Sequence, residues 1–179
     1  MDNVLIISQW LLAASFTLIV GYAVVSDFRT LHIPNWTPVT IFILFLPAAL
    51  AKGIGLQTIA VHYGVGIGLF AFGAALFASH LIGGGDVKLL AATGVWVGWD
   101  GLTVYFVYMA LIGGALALAV ILLKRLSLYL PLLPDAPWSG SDGEKQQNIP
   151  YGVAIGLAAV ILFPRSPVFP ADLAAYLNL

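Results

Sequence analysis

From Val4 to Val25 the chain runs without a charged side chain, a stretch of about 22 residues that as an α-helix reaches about 33 Å and crosses the core of a bilayer. That segment fixes the solvent in which the rest must fold. Of the 179 residues, 61% are hydrophobic and only 8% are charged, against about 25% charged in an ordinary soluble domain. The run is preceded by Met1-Asp2-Asn3 rather than by a basic segment, so it is expected to be a retained span and not a cleaved signal peptide.

Further apolar runs follow at roughly 37–51, 58–79, 87–97, 102–123 and 149–163. The chain is therefore expected to be an all-α polytopic membrane protein, a single domain over 1–179 with about six transmembrane helices, at least the second and fourth of them short for a full crossing. Pro34 and Trp36 mark the first break, Lys52-Gly53-Ile54-Gly55 the second, and Trp99-Asp100-Gly101 a turn between the fourth and fifth runs. The segment at about 124–148, with Pro131, Pro134 and Pro137, reads as a flexible loop. Ala60, Gly64 and Gly68, and again Gly152 and Gly156, repeat small residues four apart, the pattern that lets helices pack backbone to backbone in lipid.

Composition also excludes functions. A net charge of -1 on so few charged residues offers no basic footprint for nucleic acid. There are no cysteines, and His32, His62 and His80 form no HExxH, so neither a metal nor another cofactor is expected. His62 and His80 are expected to be interfacial or capping groups.

The charged, glycine-rich break Leu81-Ile82-Gly83-Gly84-Gly85-Asp86-Val87-Lys88 is where chemistry is expected. Its glycines permit positive φ and close approach of another chain, and Asp86 follows them at a helix start. Asp86 has two readings: a helix N-cap on a tight turn, or a catalytic carboxylate. The second needs a partner, and Asp27 stands at the end of the first span. Two crossings separate the acids, so both lie at one face. If Trp99 marks the far interface, Asp86 sits about 20 Å along the helix from it in a core about 30 Å thick, which sinks the carboxylate below the surface. A charged Asp deep in a membrane helix costs about 2.5 to 3.5 kcal/mol, and such groups usually line a cavity or pair. Lys88 can tune the pair or extend its ammonium to the surface, the latter being favoured; Asn35 and Tyr151 can hydrogen-bond substrate or order loops.

Lys and Arg give the orientation. The loops after spans one, three and five hold Arg29, Lys88, Lys124, Arg125 and Lys145, and those after two, four and six hold Lys52 and Arg165. The richer set, with both acids, is expected in the cytoplasm.

Ser26-Asp27-Phe28-Arg29 with Ile33-Pro34-Asn35, then Gly83-Gly84-Gly85-Asp86-Val87-Lys88-Leu89-Leu90-Ala91-Ala92, then Ile149-Pro150-Tyr151-Gly152, together resemble the marks of the prepilin peptidases, GxGD aspartic endopeptidases of the membrane. Within that family the chain is most similar to the short branch serving Flp-type (tight-adherence) pili. The resemblance implies leader cleavage of prepilin or pseudopilin precursors at the cytoplasmic side of a bacterial inner membrane, with Asp27 and Asp86 catalytic and Gly83, Gly84, Gly85, Lys88, Asn35 and Tyr151 shaping the site or binding substrate. Longer members carry a cysteine-bearing N-terminal segment and methylate the new N-terminus; this sequence starts directly in its first span and has no cysteine, so methyltransferase activity is not expected.

Two adjacent carboxylates share a proton, so one can activate water while the other donates to the scissile carbonyl. The rival function is a small proton- or cation-coupled carrier, but a relay needs ionisable groups at several depths, and both acids lie at one face. The substrates implied by the resemblance carry a basic leader ahead of an apolar helix. That leader could lie near Asp135, Asp142 and Glu144, although the same loop also reads as a solvated connector.

Overall fold

The computed structural model describes residues 2–127 and 149–170, and among these every regular element is helical. The helices are α1 (Asp2–Thr30), α2 (Trp36–Ala51), α3 (Leu56–Ala78), α4 (Gly84–Ser127) and α5 (Tyr151–Leu162), followed by a 3₁₀ turn at Phe163–Arg165. Three of them contain apolar segments long enough to cross a membrane, Val4–Thr30, Leu56–Ala78 and Gly84–Leu123, whereas Trp36–Ala51 and Tyr151–Arg165 are apolar but shorter. This is a helical membrane protein, a solvent in which backbone polar groups must be satisfied internally.

The first run extends further than its apolar residues. Nothing in Ser26-Asp27-Phe28-Arg29-Thr30 breaks a helix, so α1 continues to Thr30 and Asp27 lies inside its last turn rather than in a loop. The break comes at Leu31, at φ 52°, where the Ser26 hydroxyl donates to the His32 carbonyl at 2.8 Å and ties the turn back onto the helix.

The expected fourth and fifth spans form one element, α4, interrupted at Gly98 (φ 70°, ψ -178°), one residue before the Trp99-Asp100-Gly101 turn read from the sequence. That conformation is essentially reserved for glycine. The element folds back there. The Thr93 hydroxyl meets the Tyr105 hydroxyl at 2.8 Å across a separation of 12 residues, which in a continuous helix would rise about 18 Å, beyond the reach of both side chains. A helix end leaves carbonyls without amide partners, and side chains take them up: His62 Nδ1–H donates to the Val95 carbonyl at 2.7 Å and the Ser166 hydroxyl to that of Trp96 at 2.7 Å. His62 is thus buried at the fold-back, where it caps a helix-end carbonyl.

The arm of α4 before Gly98 is the centre of the molecule, with α2, α3 and α5 packed on α4 and α1 packed on α2 and α5. Leu89, Val95 and Trp96 are buried there, and the Trp96 indole donates to the Ile41 carbonyl at 2.8 Å. Phe16 stacks on Trp96, with ring centroids 4.3 Å apart, and Phe45 and Phe163 meet it edge-on, each at 5.7 Å; such pairs contribute roughly 0.5–1.5 kcal/mol each beyond area burial.

The small-residue face expected on α3 points the other way. Gly64 and Gly68 have open space around them and Ala60 is exposed, whereas Gly66 lies against Val95 and Gly73 against Val87. The polar His62 decides this. Its ring must face inward, and Ile59, Gly66, Leu69 and Gly73 share its side of a 3.6-residue helix. The pair on α5 does pack as read: Gly156 receives Val20 and Val24 of α1, and Gly152 lies against Asp27 and Ile33.

Candidate active site

Three helix ends meet at the face opposite the Trp96 cluster. The last turn of α1 brings Asp27, the first turn of α4 brings Asp86, and the first turn of α5 brings the amides of Gly152 and Val153. Asp27, Asp86, Gly83, Gly84, Gly85, Asn35 and Lys88 line one cavity of about 350 Å³.

Asp86 is the third residue of α4, so it is not the N-cap. Gly83 precedes the helix, and the Asp86 carboxylate turns back toward the Gly83 amide while also facing the amide of Gly152. Asp27 faces the amides of Val153 and Gly152 and lies near enough for Asp86 to feel its charge. The N-terminal amides of a helix are unpaired within it and carry the positive end of its dipole. The start of α5 therefore offers two carboxylates a common positive surface.

Asp27 is only 5% exposed, and among the described residues its Oδ2 has no hydrogen-bond partner. Leaving a buried polar atom unmet costs about 1–3 kcal/mol, so an atom in that state is one that a substrate or water can satisfy. Gly152 holds it there. A Cβ at that position would stand 2.7 Å from Asp27 Oδ2 and 2.6 Å from Ile33 Cδ1, so a side chain at 152 would displace the carboxylate.

None of the three glycines before Asp86 takes positive φ. They serve close approach instead: a Cβ on Gly83 would lie 3.0 Å from Asp86 Oδ2, on Gly84 3.3 Å from Phe77, and on Gly85 3.3 Å from Ile33. Lys88 is exposed, as its favoured extension to the surface requires. Its ammonium donates to Asn35 Oδ1 at 2.7 Å, joining α4 to the loop before α2. Lysine only donates, so the amide oxygen must face it.

Tyr151 stands apart: it is 48% exposed and is not among the residues lining the cavity. His32 lines the cavity but is exposed. Asp135, Asp142 and Glu144 lie outside the described residues. Among the described residues, no group of three or more His, Cys, Asp or Glu is placed to hold a metal ion. The sequence reading missed Gly152 and Ile33 as parts of the site. Both lie in quoted motifs, but the glycine was read as a packing residue, and nothing local says that its neighbour is a carboxylate.

A family model described as the type IV leader peptidase family matches residues 12–118, which include both aspartates and the glycine break and leave α5 outside. Neither the curated proteins nor the solved structures compared with the chain gave a match.

Proposed function

The chain belongs to the type IV leader peptidase family, and from that premise we propose that it is a membrane-embedded aspartic endopeptidase that removes the N-terminal leader of prepilin-like precursors, those of Flp-type pili in particular. It works at the cytoplasmic face of a bacterial inner membrane, as a single domain of six crossings with α4 supplying two. The observation that carries this reading is the convergence of Asp27 and Asp86, from helices far apart in sequence, on one cavity at the amino end of α5.

Two like charges so placed hold one proton between them. The ionised carboxylate takes a proton from water as that water attacks the scissile carbonyl, and the protonated one donates to the carbonyl oxygen, giving a tetrahedral intermediate. Collapse of the intermediate, with a proton passing to the leaving amine, restores the pair. Within this scheme the Gly152 amide keeps both acids oriented, and the Lys88–Asn35 hydrogen bond holds the loop before α2 against the cavity.

The test is a cleavage assay in membranes with a prepilin-like precursor. The wild-type protein should convert it to a shorter product by one cut at the leader junction, whereas Asp86→Asn should leave it intact. A product formed equally by both proteins would remove the proposal, and flux of protons or cations in liposomes that Asp86→Asn abolishes would favour a carrier.

A further inference from the structure

A second concavity begins where the aspartate cavity ends. It has a volume of about 420 Å³, lies between α2, α3 and α4, and is walled by Val39, Ile43, Ile67 and Phe70 over a floor of Ala91 and Ala92. Lys88 belongs to both spaces. Its ammonium is held by Asn35, a residue of the cavity lining, while a lysine stem can lie along apolar surface. The cavity around His62 and the hollow beside Gly64 share no lining residue with the aspartates.

The levels match a chain passing from one space to the other. Lys88 is two residues beyond Asp86 in α4, about 3 Å along the axis, and the groove continues from Lys88 to Ala92 for about another 6 Å. Its other walls run beside that arm in register: Pro38 to Ile43 lead away from the cavity down α2, and Phe70 to Gly66 do so down α3, which runs in the opposite sense. Val39, Ile43, Ile67 and Phe70 are open at the outer surface, in segments that the membrane surrounds. The groove thus has the shape and chemistry for one or two turns of an apolar helix entering sideways from lipid, with the polar chain end of that helix delivered past Lys88 to the carboxylates.

We propose that this groove, formed by α2, α3 and α4 and joined to the aspartate cavity through Lys88, is the docking site for the apolar helix of the substrate on the carboxyl side of the cleaved bond. The proposal rests on the leader peptidase reading and adds to it the surface that selects membrane-inserted substrates. Recognition is then divided between two spaces, the groove setting affinity for the helix and the cavity cutting the chain next to it.

The test compares two substrates: the full precursor with its apolar helix, and a soluble peptide spanning only the cleavage junction. Ile43→Trp and Ile67→Trp each fill the groove from its outer wall, and Leu111→Trp places the same bulk on an exposed part of α4 outside it. With the precursor, each groove variant should raise KM about tenfold with kcat little changed, the signature of lost binding that is equal in ground and transition states. Cleavage of the peptide should be unaffected, and Leu111→Trp should alter neither substrate. An unchanged precursor KM in the groove variants, an equal loss on the peptide, or an equal effect of Leu111→Trp would each overturn the docking site while leaving the peptidase intact. Failure of the wild type to cut either substrate would instead overturn the function on which the proposal rests.

Discussion

The two ends of the first arm of α4 use the same device to opposite purposes. At Gly98 a missing side chain admits the His62 ring, and at Gly152 a missing side chain admits the Asp27 carboxylate. Around Gly98 the polar atoms are paired: His62 with Val95, Ser166 with Trp96, Trp96 with Ile41, and Tyr105 with Thr93 and the Ile155 carbonyl. At the other end a buried carboxylate oxygen beside an open cavity has no partner among the described residues. The contrast teaches where this fold is stabilised and where stability is given up. Unsatisfied groups survive at functional sites because the surrounding structure over-determines them, and the close packing of Gly152 and Ile33 at the Asp27 carboxylate does that here.

That contrast is exposed to substitution at the two glycines. Gly152→Ala should lower kcat by about 100-fold, the loss expected when a reacting group is moved by about 1 Å, while thermal unfolding in detergent falls only modestly. Gly98→Ala should do the reverse in kind. Its φ of 70° and the His62 Nε2 that a Cβ would meet at 2.7 Å together cost about 2–5 kcal/mol, seen as a lower unfolding temperature, with the protein that remains folded keeping its specific activity. Equal profiles for the two variants would erase the distinction.

A smaller effect sharpens it. His62→Ala removes the hydrogen bond to the Val95 carbonyl and the stack on Phe45 at 5.0 Å, and should cost about 2–3 kcal/mol of stability with KM unchanged. Unfolding in detergent with parallel kinetics would check it; a selective loss of kcat would bring His62 into the chemistry. At the small end, Gly64→Ala enters open space on α3 and should shift stability by no more than about 0.5 kcal/mol. A large destabilisation would restore the packing face that the sequence suggested there.

How much could be read in advance follows from what is local. Apolar runs gave the helices because length and hydropathy are properties of a segment, and the two acids were matched because counting crossings needs no geometry. What failed needed a neighbour. Residues four apart on α3 describe two possible stripes, and only the position of His62 against Val95 selects one. Composition places the turn at Trp99-Asp100-Gly101, yet the backbone reverses at Gly98, whose φ of 70° and ψ of -178° suit glycine and whose missing side chain makes room for the His62 ring. Gly152 looked like a packing residue for the same reason, since its partner lies 125 residues earlier in the chain.

The central claim is that Asp27 and Asp86 act as one unit, and the most direct measurement is the rate of precursor cleavage by Asp27→Asn, Asp86→Asn and the double variant, each confirmed as folded by its unfolding transition. Groups that work as a unit are not additive. Each single variant should lose about 10³-fold or more in kcat/KM, and the double variant should be no slower than the worse single one. A single variant that still cuts at near the wild-type rate, or a double variant whose loss is the product of the two, would contradict the dyad.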